Sequence, residues 1–135
     1  LWTRTLWPRE MSRNRKPKKD NSTSARGRRG EELAAEYLLR AGYTILEKNF
    51  RRQTGEVDIV CERSGSLVFI EVKRWPRAFR SELNIALSSR RRERLRRTAE
   101  LFLVEHPEFR GHRVRFDLLF VATGEREIEH IPGAL

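Results

Sequence analysis

Apolar residues recur along the middle of the chain with two different periods. Leu33, Ala34, Tyr37, Leu38 and Ala41 fall at helical spacing, and Gly42 stops the run. Three shorter stretches follow and read as strands: Tyr43–Arg51, Val57–Arg63 and Leu67–Trp75, the last rich in Val, Ile and Phe. Pro76–Glu82 reads as a mobile loop. A second helical period runs from about Ile85 to Glu105 and ends before Pro107, with Leu87, Leu95, Ala99, Phe102 and Leu103 on its apolar stripe. Val114–Ala122 is a fourth strand and Ile128–Ile131 a short fifth. The predicted order is α-β-β-β-α-β, without an internal repeat.

The segment between Gly55 and Lys73 is the most informative. If Ser64-Gly65 is a tight two-residue turn, Asp58 faces Glu71, Glu56 faces Lys73 and Val60 faces Phe69. Val57, Ile59, Cys61, Val68, Ile70 and Val72 then share the other face, which is wholly apolar. A slip by one residue would mix the two faces and expose that apolar set, so the face segregation supports this register.

Opposed side chains in a hairpin have Cβ atoms about 4.5–5.5 Å apart, and like charges at that separation destabilise the pair. Asp58 opposite Glu71 is therefore a poor surface decoration. A bound cation reverses the cost, and hard oxygen donors completed by water suit Mg²⁺ or Mn²⁺. Asp58 and Glu71 are the candidate metal ligands. Lys73 points to the same face, where it would orient or deprotonate the attacking water, or stabilise charge on phosphorus. The plain alternative is a cross-strand ion pair between Glu56 and Lys73.

The helices add charge to this picture. With about 100° per residue, Glu31 lies at the margin of the first apolar stripe, whereas Glu32 and Glu36 turn toward solvent. Glu31 thus leans toward the sheet, although a carboxylate favoured by the dipole in a helix first turn would sit there equally well. In the second helix Arg90, Arg91, Arg92, Arg94, Arg96 and Arg97 are opposed only by Glu93. Arg91 falls on the apolar stripe and should point inward, and the others fan over the outer faces. Arginine forks suit phosphate oxygens, so Arg90, Arg91, Arg94 and Arg97 are read as contacts to a nucleic-acid backbone. Arg115 and Asp117, on one face of the fourth strand, read as a structural ion pair. His106, His112 and His130 have no ligand spacing.

Composition narrows the classes. The 135 residues hold one modest core, and 29 Lys/Arg against 19 Asp/Glu give a net charge of +10, which favours an acidic partner. Residues 1–29 carry ten Lys/Arg and two Asp/Glu, so most of the excess is a tail. Residues 1–26 are expected to be a disordered basic tail, and 27–135 the folded domain. The chain opens on Leu1 and its single methionine is Met11, which is compatible with residues 1–10 lying upstream of a natural start. No apolar run approaches a membrane span, and the N-terminus lacks the apolar region of a secretory signal. Cys61 is the only cysteine, so an internal disulfide and a Cys-rich zinc site are excluded. It reads as a small buried hydrophobe, and a reduced, cytoplasmic setting is expected.

Gly30-Glu31-x-x-Ala34, Asn49-Phe50-Arg51, Gly55-Glu56-Val57-Asp58 and Phe69-Ile70-Glu71-Val72-Lys73 together resemble the bacterial YraN-like proteins. Those are members of the PD-(D/E)xK nuclease-like superfamily, akin to Holliday-junction resolvases. The resemblance runs from about Gly27 to Leu135. It implies an α/β fold with a restriction-endonuclease-like αβββαβ core, a mixed central sheet flanked by helices. It also implies catalytic roles for Glu31, Asp58, Glu71 and Lys73, with Glu31 as auxiliary acid. That family usually has a lysine where this chain has Arg91; arginine keeps the charge but cannot accept a proton. The expected function is metal-dependent endonucleolytic hydrolysis of DNA, with branched DNA as a candidate substrate and a homodimer as a plausible assembly. The alternatives are a non-catalytic nucleic-acid-binding scaffold and, third, a protein-binding module with a residual acidic cluster.

Overall fold

The computed structural model describes residues 23–75, 88–122 and 127–134. Among them the order is α1 (Thr23–Arg40), β1 (Thr44–Arg52), β2 (Gly55–Arg63), β3 (Ser66–Trp75), α2 (Ser89–Glu105), a 3₁₀ turn (Pro107–Phe109), β4 (Arg113–Ala122) and β5 (Ile128–Ile131). The strands form one sheet in the order β1-β2-β3-β4-β5. β3 and β4 run parallel and the other neighbours antiparallel, so the sheet is mixed. The parallel step requires a crossover, and α2 lies on it. This is the expected restriction-endonuclease-like α/β core.

α1 begins at Thr23, ahead of the apolar period, so residues 23–26 of the stretch read as a tail are helical. The rest of that stretch, the loop 76–82 and the first expected turn of the second helix, 85–87, lie outside the described residues. α2 starts behind Ser88, whose hydroxyl accepts the Arg91 N–H at 3.3 Å and caps the helix.

Two clusters cover the two faces of the sheet. Ala34, Ala35 and Leu38 of α1 meet Ile45, Ile59, Cys61, Val68, Ile70 and Leu119. Leu95, Ala99 and Phe102 of α2 meet Phe50, Val57, Val60, Leu67 and Phe69. The central strands β2 and β3 are thus buried on both sides, which fits their nearly continuous apolar sequence. Val57 corrects the expected faces, because it packs on the α2 side with Phe50 rather than beside Ile59 and Cys61. β1 is irregular just before this point: its register shifts between Ile45 and Glu47, and Asn49 has φ 54°. Cys61 is fully buried, and burial pushes its thiol well above the usual range. No helix among the described residues is long and apolar enough to cross a membrane.

β4 carries a buried polar network that ties the far strand to α1. Asp117 accepts from Arg115 Nε and Nη2 at 2.8 and 2.7 Å, His130 Nε2 at 2.6 Å and the Gly133 N–H at 2.9 Å. Arg115 also donates to the Tyr43 hydroxyl at 2.8 Å, and Tyr37 meets His130 Nδ1 at 3.1 Å. The expected Arg115–Asp117 ion pair is present, with two tyrosines and a histidine added.

Candidate active site

The β2–β3 hairpin turns on Ser64 and Gly65, both at positive φ (49° and 78°), as a primed two-residue turn requires. Arg63 pairs with Ser66, Cys61 with Val68, Val60 with Phe69 and Ile59 with Ile70, which is the expected register. The ladder ends there. The next inward donor, the Val72 N–H, goes to Asp58 Oδ2 at 2.8 Å instead of to the β2 backbone. Beyond this point β2 stays with β1 (Phe50 opposite Val57, Arg51 opposite Glu56) and β3 stays with β4 (Glu71 opposite Leu118, Lys73 opposite Phe120). The two central strands therefore part at Asp58. The expected Glu56–Lys73 pairing is not formed; Glu56 accepts from Arg51 Nε and Nη2 at 3.0 and 2.8 Å.

Several charged groups converge where the strands part. Burial, then the charge and hydrogen-bonding reach of Glu71, then the charge of Glu31, push the Asp58 carboxyl well above its ordinary range; only the Val72 N–H opposes this. Glu71, buried at 8% side-chain exposure, takes both Arg91 Nε and Nη2 on its Oε2, at 3.2 and 3.1 Å. Glu31 accepts from the Asn49 side-chain amide at 3.3 Å. Lys73 is partly buried, and desolvation lowers its pKa; Glu71 and Asp58 pull it back up while Arg91 adds to the lowering.

Gly55, Glu56, Asp58, Glu71, Arg91, Arg94 and Leu95 line a cleft of about 270 Å³ at this spot. Gly55 lets α2 approach. It has φ +147°, and a Cβ there would come within 3.3 Å of Thr98 Oγ1 and 3.7 Å of Arg94 Cβ.

The structure thus brings Glu31, Asp58, Glu71, Lys73, Arg91 and Arg94 into one neighbourhood. Arg91 points inward, as its place on the apolar stripe predicts. Arg90 and Arg97 are exposed on α2 away from the cleft lining, and Arg97 pairs with Glu93 at 3.4 Å. Sequence reasoning missed the Asn49 amide that holds Glu31, and the packing reason for Gly55. The signals were present: an asparagine inside a strand tolerates the left-handed region, and a strand glycine marks close approach.

Asp58 and Glu71 are hard oxygen donors set side by side, and their mutual repulsion is relieved by either a proton or a cation. Among the described residues no group of three or more His, Cys, Asp or Glu stands ready to enclose an ion. Two carboxylates with open positions for water fit Mg²⁺ or Mn²⁺ and do not fit a closed zinc site.

A mixed sheet with a helix on either face and an acid–lysine cluster at the parting of its central strands defines a chain with a restriction-endonuclease-like core. The chain matches the uncharacterised protein family UPF0102, the YraN family, over residues 30–121, and it belongs to that family. A UPF0102 protein of Frankia casuarinae is 42% identical over 113 residues, covering 82% of this chain and 95% of the relative. One from Syntrophomonas wolfei is 39% identical over 107 residues (78% and 92%), and one from Persephonella marina 33% over 109 residues (81% and 91%).

Proposed function

We propose that the chain is a metal-dependent endonuclease that hydrolyses DNA phosphodiester bonds, with branched DNA among its candidate substrates. The observation that carries this reading is the meeting of Asp58 and Glu71 beside Lys73, at the mouth of a cleft walled by Arg91 and Arg94. Mg²⁺ or Mn²⁺, when bound by Asp58 and Glu71, supplies Lewis-acid polarisation of a phosphoryl oxygen. The Val72 N–H holds one Asp58 oxygen in place and leaves the other for binding. Glu31, oriented by Asn49, adds negative potential that favours a cation there. Lys73, its ammonium weakened by burial, takes a proton from the attacking water or steadies charge on the phosphoryl oxygens. Arg90, Arg94 and Arg97 hold the backbone by charge, without reading bases.

The test is nicking of supercoiled plasmid and of a four-way junction in Mg²⁺, Mn²⁺ or EDTA. Cleavage is expected with either metal, none in EDTA and none for Asp58→Ala. Metal-dependent nicking that survives Asp58→Ala would sink the site assignment. One observation favours the scaffold reading instead: Arg91 already neutralises Glu71. That reading expects metal-independent binding with no cleavage, retained by Lys73→Ala.

The arginines make a separate prediction. Each phosphate contact contributes about 0.9 to the slope of log K against log salt on duplex DNA. Changing Arg90, Arg94 and Arg97 together to Ala should lower that slope by about 2–3. Fluorescence anisotropy with labelled duplex across a salt series measures it, and an unchanged slope would remove these arginines from the interface.

A further inference from the structure

Glu71 is buried, yet its carboxylate is satisfied by a side chain that is 45% exposed. Both Arg91 nitrogens converge on the same oxygen, Oε2, and Arg91 lines the same cleft as Asp58, so the guanidinium occupies an acceptor that a cation shared by the two acids would need. Arg91 and a divalent ion are like charges competing for one acceptor. The long arginine stem gives the guanidinium somewhere else to go. Arg94, one helical turn further on, lines the same cleft, and two guanidinium forks on one wall suit the non-bridging oxygens of a phosphodiester.

We propose that Arg91 is a built-in counter-ion for Glu71 that is exchanged for a divalent cation when a phosphodiester draws its guanidinium toward Arg94. This rests on the reading of Asp58 and Glu71 as metal ligands. Without substrate, Arg91 keeps the buried carboxylate neutralised and holds metal affinity down. With a phosphodiester in the cleft, Glu71 is released and the metal site is complete. Because the coupling is a free energy between two binding events, it is reciprocal: metal tightens nucleic-acid binding by the same factor that nucleic acid tightens metal binding. Arg91 is then a positioning residue, acting on the reaction through Glu71 and the phosphate.

Mn²⁺ affinity, measured by calorimetry on the full chain in the absence of nucleic acid, tests this without any cleavage. Arg91→Gln, which keeps a hydrogen-bonding group beside Glu71 but no charge, should bind Mn²⁺ about tenfold more tightly than the parent, a typical size for such a coupling. Arg91→Ala should do the same, and thermal melts of both variants check that they are folded. Asp58→Ala should lose Mn²⁺ binding. In a second arm, the affinity for a hydrolysis-resistant phosphorothioate duplex is compared in Mn²⁺ and in EDTA. The gain on adding Mn²⁺ should be clearly smaller for Arg91→Gln than for the parent. Mn²⁺ affinity that is unchanged or weaker in folded Arg91→Gln, while Asp58→Ala abolishes it, overturns the exchange and leaves the metal site standing. Mn²⁺ binding that is absent from the parent and both Arg91 variants, or indifferent to Asp58→Ala, overturns the metal reading itself.

Discussion

Lys73→Ala is expected to slow metal-dependent cleavage by about 10²–10⁴-fold, the range that a positioned proton-transfer group contributes. Lys73 leaves β3 two residues beyond Glu71, past the point where β2 and β3 part, and burial already weakens its hold on a proton. Glu71 and Asp58 restrain that effect through their charge. Asp58 and Glu71 would hold a divalent ion whose charge offsets part of this restraint, so that more of the Lys73 amine is neutral and free to take a proton. Lys73→Arg separates the two roles, because arginine keeps the charge but does not give up its proton. If Lys73 moves a proton, Lys73→Arg should be nearly as slow as Lys73→Ala; if it only steadies charge, Lys73→Arg should recover most of the rate. Single-turnover rates on a labelled four-way junction measure this, and Mn²⁺ calorimetry should find metal binding retained in both variants. Parent-like cleavage by Lys73→Ala would exclude Lys73 from the reaction.

The hairpin was readable because Ser64-Gly65 marks its turn and so fixes its parity. With Ser64-Gly65 as the turn, parity alone paired Ile59 with Ile70 and Val60 with Phe69. Helical spacing likewise turns Arg91 inward, where the structure seats it on Glu71, and leaves Glu32 and Glu36 exposed. What parity could not supply was the place where regular pairing stops. The face of Val57 and the loss of the Glu56–Lys73 pairing both follow from local breaks: the register shift after Ile45, the left-handed Asn49, and the Val72 N–H captured by a side chain. Each is a choice between backbone and side-chain partners, and the winner depends on tertiary packing. The site sits at those breaks, so its residue types were legible while its geometry was not. The same holds for His130, whose partners Tyr37 and Asp117 lie far from it in sequence and share no spacing with it.

The largest effect on stability is expected from Asp117→Ala. Asp117 is fully buried and accepts four hydrogen bonds, from two cationic or ring side chains and one backbone N–H. His130 Nε2 must carry the proton that it shares with this carboxylate, which leaves Nδ1 to meet the Tyr37 hydroxyl. Removing the acid leaves the buried His130 Nε2 and the Gly133 N–H without their acceptor, while Arg115, a third exposed and still bonded to Tyr43, can turn to water. A loss of about 2–4 kcal/mol is expected for the stranded donors. Asp117→Asn keeps the shape and one acceptor oxygen, so it should cost less. The pH dependence follows from the same contacts. Burial alone would raise the Asp117 pKa, but His130, Arg115 and the Gly133 N–H outweigh it and hold it down at about 2. An unfolded Asp titrates near pH 3.9, so the folded state binds its proton less readily than the unfolded state. The stabilisation from this charge, about 2 kcal/mol, is therefore complete above the unfolded value and disappears as pH falls through the folded one. Urea unfolding of the parent and Asp117→Asn at about pH 6 and about pH 2.5 isolates it, because other carboxylates titrate alike in both proteins. The stability gap between them should shrink by about 2 kcal/mol toward the lower pH. A gap that is independent of pH would mean that Asp117 is held by packing rather than by its charge.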